Sequence, residues 1–118
     1  MSSANYPKEA RLHRPSEFAN VFANRRVTRG ALFTLHYCPN QLEMARLGLV
    51  IAKKNASRSV TRNTIKRVIR DVFRHRRLQL SHKDYVIRLH RHITPCSLRE
   101  LRKMVRTDVE PLFDQWLA

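Results

Sequence analysis

The apolar positions of this chain change period several times, and each change marks an element. Phe18, Val21 and Phe22 recur at helical spacing behind Pro15-Ser16, where a first helical turn tolerates proline. A helix is therefore predicted from Pro15 that fades by Asn24. From Ala31 to Cys38 the period falls to two: Phe33, Leu35 and Tyr37 share one face, and Thr34, His36 and Cys38 the other. That alternation predicts a half-buried strand, broken by Pro39-Asn40-Gln41. Arg46 to Ala52 is a nearly continuous apolar run and predicts a central strand, antiparallel to the preceding one across a short connection.

A long helix is predicted from Val60 to Leu80, followed by a β-rich run from Lys83 to Leu89. Thr94-Pro95-Cys96-Ser97 then opens a last helix, in which Ser97 and Glu100 have the spacing of a capping box. Pro111 falls inside the apolar pattern of that helix and predicts a break or kink, because an interior proline removes a hydrogen bond and clashes with the preceding turn. Residues 1–14 are polar and basic and are expected to be extended. Residues 25–30 and 53–58 read as basic loops.

The order α-β-β-α-β-α within 118 residues predicts one domain, an α+β sandwich whose single sheet is covered by helices. No apolar run approaches the roughly 18 residues of a membrane span. Met1 to Glu9 has no apolar signal core, so Cys38 and Cys96 are expected as reduced thiols in a cytoplasmic protein.

Charge sharpens this picture. The 24 Lys and Arg residues against 9 Asp and Glu leave a formal net charge of +15, which repels itself until a polyanion neutralises it. Nucleic acid is the first candidate and an anionic membrane the second. The long predicted helix shows how the charge is spent. With each residue about 100° after the last and Arg62 at zero, Ile65, Val68, Ile69, Val72 and Phe73 span an arc from roughly 240° round to 20°. Arg62, Asn63, Lys66, Arg67, Arg70 and Arg74 fall between roughly 0° and 140°, with Arg77 among them.

The pairs Arg62/Lys66, Lys66/Arg70 and Arg70/Arg74 repel at i,i+4 by a few tenths of a kcal/mol each. A merely solvated face would intersperse acids, yet Asp71 is the only one in the segment. A one-signed stripe is accounted for if phosphates neutralise it, and arginine grips phosphate bidentately. Asn63 can donate and accept, so it either reads a sugar or base or satisfies the helix's first turn. Lys53 and Lys54 extend the patch at the end of the preceding strand.

The residues that carry this charge also carry a resemblance. Arg46-Leu47-Gly48-Leu49-Val50-Ile51-Ala52-Lys53-Lys54 followed by Val60-Thr61-Arg62-Asn63-Thr64-Ile65-Lys66-Arg67-Val68-Ile69-Arg70-Asp71-Val72-Phe73-Arg74 resembles the signature of the bacterial ribonuclease P protein family. Phe18-x-x-x-Phe22 and Lys83-Asp84-Tyr85-Val86-Ile87 match it in place, so the likeness spans roughly residues 10–116. Three positions depart from the pattern: Thr64 replaces an arginine, Ser59 an alanine and Asp71 a glutamate. Thr64 lies beside the basic arc, so one RNA contact is either lost or taken over by Arg58.

The resemblance implies a two-layer α/β sandwich with a single mixed sheet and a left-handed βαβ crossover, like the second domain of ribosomal protein S5. It implies a subunit of an endoribonuclease in which catalytic RNA removes the 5′ leader of precursor tRNA. The catalytic RNA would be met by Lys53, Lys54, Arg58, Arg62, Asn63, Lys66, Arg67, Arg70 and Arg74. The single-stranded leader would lie in a cleft lined by Phe18, Phe22, Thr34 and His36 with Lys53 at its floor, since aromatic platforms and cationic walls grip single strands. Two phenylalanines at i,i+4 are also a common core pair.

The implied partners are that RNA and the leader, with no membrane and no obligate protein partner. The Mg2+ of the reaction would be bound mainly by RNA. The nine scattered acids and six histidines suggest no catalytic or metal-ligating side chain in the chain itself. A structural RNA-binding protein of the ribosomal type is the alternative, and a DNA-binding protein a third reading.

Overall fold

The computed structural model describes residues 6–117; residues 1–5 of the segment predicted to be extended lie outside them. After a short 3-10 turn at Lys8–Ala10 come α1 (Pro15–Ala23), β1 (Arg26–Arg29), β2 (Phe33–Pro39), β3 (Arg46–Val50), α2 (Ser59–Arg76), β4 (Lys83–Leu89) and α3 (Leu98–Asp114). The strands form one mixed sheet in the order β1-β2-β4-β3. β1 and β4 run antiparallel to β2, while β3 and β4 are parallel and joined by the α2 crossover.

Each face of the sheet has its own core. Phe33, Leu35, Tyr85, Ile87, Leu89 and Leu47 pack against the apolar sides of α2 and α3, including Ile65, Ile69, Phe73, Leu101, Val105 and Phe113. On the opposite face, Val21 of α1 joins Leu12, Cys38 and Val86 in a smaller cluster, flanked by Phe18, Phe22 and Val50. The period-two strand and the 3.6-period helices therefore deliver their apolar residues where the sequence pattern puts them.

Four expectations are corrected. Residues 26–29 are a strand and not a loop, paired with β2 from Arg26↔Tyr37 to Arg29↔Thr34. β3 is an edge strand and lies parallel to β4, not antiparallel to β2, because β4 inserts between them. The segment before α1 is not simply extended. Its 3-10 turn buries Ala10, and the Leu12 N–H donates to the Leu47 carbonyl at 3.0 Å. Finally, α3 runs through Pro111 to Asp114 without a break. Proline there forgoes one bond to the Thr107 carbonyl four residues upstream, and the burial of Leu112 and Phe113 in the core holds the turn helical in spite of it.

The caps are local. Ser97 Oγ accepts the Glu100 N–H at 3.1 Å at the start of α3. At α1, Pro15 occupies the first turn and Glu17 Oε1 accepts the N–H groups of His13 and Arg14 at 2.7 and 2.8 Å. Both cysteines are free thiols, Cys38 buried and Cys96 exposed. No helix among the described residues is long and apolar enough to cross a membrane.

Candidate nucleic-acid interface

The acids that face α2 are taken up by arginines. Asp71 accepts Arg74 Nη2 at 2.6 Å and Arg106 Nη2 of α3 at 2.9 Å. Arg76 reaches Asp114 at 2.6 Å and Glu110 at 3.3 Å, also on α3. The carboxylates of this region are thus committed to the seam between the two helices. Among the described residues no carboxylate pairs with Lys53, Lys54, Arg58, Lys66, Arg67 or Arg70. Arg67 and Arg70 are exposed and Lys66 half-exposed along one flank, which leaves a field of one sign over that surface.

Two members of the predicted stripe have other duties. Arg62 Nη1 donates to the carbonyls of Ala56 and Ser57 at 2.9 and 2.8 Å, so this side chain braces the loop that leads into α2. Arg74 is engaged by Asp71. Asn63 is exposed beside Arg67. Thr64 turns its hydroxyl back to the Val60 carbonyl at 2.8 Å, satisfying itself within the helix.

The stripe is not a free ridge. Residues 6–14 lie along β3 and wall it on one side. The Tyr6 hydroxyl donates to the Leu47 carbonyl at 3.1 Å, and its ring meets Phe73 edge-on at 5.4 Å. The Arg11 guanidinium lies 4.4 Å from the Tyr6 ring centroid. Burial pushes the Tyr6 phenol up to about 12, against the opposing pull of Arg11 and Arg70, so it remains a donor. Two adjoining hollows result. One, of about 400 Å³, is lined by Tyr6, Arg11, Asn63, Arg67, Arg70, Arg74 and Asp71, whose carboxylate is paired with Arg74 and Arg106. The other, of about 250 Å³, adds His13, Phe18 and Lys66.

The second candidate surface lies on the α1 face of the sheet. Phe22 meets the His36 ring edge-on at 4.8 Å, with both side chains half-buried. Phe18 lies over Gly48, where an added Cβ would come within 2.5 Å of the phenylalanine ring. Gly48 is thus the absence of a side chain that lets Phe18 reach the strand. Thr34, predicted to line the cleft, is fully buried, with its Oγ1 2.7 Å from His90 Nδ1. It orients His90 and presents no surface of its own. Lys53 is exposed on the turn after β3, and it is Lys54 that borders a hollow with Val50, Arg88 and His90.

Arg88 and Arg29 are the residues the sequence reading missed. Register places both opposite Thr34, one from β4 and one from β1, on the face that carries His36. Arg88 Nε donates to His36 Nε2 at 3.2 Å. Burial, then the charges of Arg88 and Arg29, hold the His36 imidazole below its ordinary range, in its neutral form. A period of two along residues 84–88 was available as a signal, but only the cross-strand register brings Arg88 beside His36.

α1 is tied to this face by one polar knot. Arg46 Nε and Nη2 form a bidentate pair with Asp84 at 2.8 and 2.7 Å, and Nη1 reaches Glu17 Oε2 at 2.8 Å. Asp84 is buried and also accepts from Asn40 at 2.8 Å. The arginine therefore links β3, β4 and the first turn of α1, which fixes where Phe18 and Phe22 stand over the sheet.

The family model for ribonuclease P matches residues 6–112. A ribonuclease P protein component of Bordetella parapertussis is 53% identical over 118 residues, covering 96% of each chain. One from Azoarcus is 48% identical over 93 residues, covering 79% of this chain and 78% of its own. The RNase P protein of Staphylococcus aureus shares the fold with a TM-score of 0.73 at 20% identity, covering 88% of this chain and 97% of that one.

Proposed function

Because this chain belongs to the ribonuclease P protein family, and so serves in the ribonucleoprotein that matures tRNA 5′ ends, we propose that it does so through two surfaces of opposite character. The flank of α2 carrying Lys66, Arg67 and Arg70, with Lys53, Lys54, Arg58, Arg62, Asn63 and Arg74 around it, meets the phosphates of the catalytic RNA. The face framed by Phe18, Phe22 and His36 takes the single-stranded leader of precursor tRNA.

The observation that carries this reading is the pairing of the carboxylates. Glu110 and Asp114 are spent at the α2–α3 seam, and Asp71, which lines the hollow facing the N-terminal segment, is neutralised by Arg74 and Arg106, so Lys66, Arg67 and Arg70 keep their charge. Such a surface gains by releasing counterions from a polyanion. On the other face, half-buried aromatic rings beside Arg88 and Arg29 supply stacking and charge together. Arg88 and Arg29 replace Thr34 and Lys53 as the polar walls of the cleft in this reading.

Hydrolysis falls to the RNA and its magnesium. The protein's donor set does not fit a hard divalent cation: Glu17, Asp71, Asp84 and Asp108 already accept backbone N–H groups or guanidinium donors. Among the described residues no three His, Cys, Asp or Glu gather. The chain binds and orients, and this work belongs in the cytoplasm where precursor tRNA is made. The test is reconstitution with a cognate RNase P RNA at low magnesium. Addition of the chain is expected to restore 5′ processing, and processing that stays at the level of RNA alone overturns the reading.

A further inference from the structure

We propose that the trough between the N-terminal segment and α2 is a seat for one unpaired nucleotide of the RNA partner, with its base on the outer face of Arg11 and its phosphate against Lys66 and Arg70. This rests on the reading that α2 meets RNA, and it assigns Tyr6 and Arg11, which that reading leaves unused.

A double helix laid against α2 would need only a convex ridge of cations. The chain builds something deeper. Backbone bonds from Leu12 and the Tyr6 hydroxyl, both to the Leu47 carbonyl, pin residues 6–12 to β3 and raise a wall opposite the α2 flank. The two hollows, about 400 and 250 Å³, share Tyr6, Arg11 and Arg70, so they adjoin along one trough. The larger is within the range of small-molecule sites, roughly 300–1,000 Å³.

The floor is suited to a base. The Tyr6 ring is held from below by Phe73 and from above by the Arg11 guanidinium at 4.4 Å. Arg11 spends one amino group on the Tyr6 carbonyl at 3.2 Å, which holds its plane in place. Arg11 is itself exposed, so its other face is free to stack on a nucleobase, as guanidinium planes do with unstacked RNA bases. Asn63 borders the same hollow and can donate to and accept from a base edge. Lys66 and Arg70 lie on the same depression, where the phosphate of that nucleotide would sit.

The experiment uses the full chain with the RNase P RNA of the same organism. Affinity is measured over a range of salt, and the reactivity of every nucleotide to 2′-hydroxyl acylation and dimethyl sulfate is read in the complex. Arg11→Lys keeps the charge and removes the plane; Tyr6→Leu removes the platform. Both are expected to weaken binding by about tenfold with an unchanged salt slope. One nucleotide protected in the wild-type complex is expected to become reactive. Arg11 is exposed, so its variant stays informative even if Tyr6→Leu fails to fold.

Wild-type affinity and an unchanged footprint for Arg11→Lys would overturn the seat, leaving Arg11 as a source of charge alone. A joint Lys66, Arg67 and Arg70 replacement to alanine separates the two failures. If it flattens the salt slope while Arg11→Lys does nothing, only the seat falls. If it leaves the slope unchanged, the α2 reading falls and the seat with it.

Discussion

Gly48 lies directly under Phe18: a methyl group at this glycine would meet the ring at 2.5 Å. The second aromatic shelf of the α1 face therefore exists because one strand residue has no side chain. Gly48→Ala is expected to push Phe18 off the sheet and to cost about 1–3 kcal/mol of stability by overpacking. Thermal unfolding checks the stability term. Precursor tRNA binding checks the consequence, since the leader's contribution to affinity should fall with it.

Phe18→Ala probes the same ring by removal. It is expected to weaken binding of leader-containing substrate by about 1–3 kcal/mol while sparing mature tRNA. Equal losses on both substrates would return Phe18 to a purely packing role.

The α2 flank is tested by salt. Replacing Lys66, Arg67 and Arg70 with alanine should lower the log–log salt slope of RNA binding by about two to three. Arg62 is a poorer choice for this purpose. Its guanidinium braces Ala56 and Ser57, so its loss would disturb the loop before α2 as well as the charge.

Glu17 gives a pH signature. Backbone N–H donors from Arg14 and His13, with Arg46 beyond them, hold its carboxyl down at about 2 against an ordinary 4.5. A carboxylate whose folded value is depressed stabilises the fold fully above its unfolded value, and loses that contribution as pH falls toward the folded one. The stability gap between wild type and Glu17→Gln is therefore expected to be constant near neutrality and to close between about pH 4.5 and 2. Urea unfolding at a series of pH values measures it. A gap that stayed level through that range would show that the knot at α1 contributes nothing through charge.

Asp108 offers a further stability test. Its carboxylate accepts the N–H groups of Ala31, Leu32 and Phe33 at 2.7, 3.1 and 2.9 Å, holding the β1–β2 turn onto α3. Asp108→Ala is expected to cost about 1–3 kcal/mol by orphaning these donors, read as a lowered denaturation midpoint. Amide exchange in β1 should accelerate more than in β4.

The α2 stripe and its apolar face were legible in the sequence because both follow from a period that a helix enforces over neighbouring residues. β3 was misplaced for a physical reason. Leu47 and Ile51 are buried and Gly48 is covered by Phe18, so an edge strand packed on both faces reads like an inner one. β1 was invisible because Arg26, Val27 and Arg29 are all exposed and carry no apolar alternation. Arg88 beside His36, and Tyr6 against Leu47, are contacts between residues 52 and 41 positions apart. Only the assembled sheet specifies them.

Among the described residues no strand pairs with the outer edge of β1, which is studded with Arg26 and Arg29. Two molecules approaching rim to rim would bring guanidinium against guanidinium, so cross-molecular strand addition is resisted before it starts. That repulsion is one that a polyanion removes. The charges that oppose pairing at this rim are thus of the same sign as those that favour assembly on RNA.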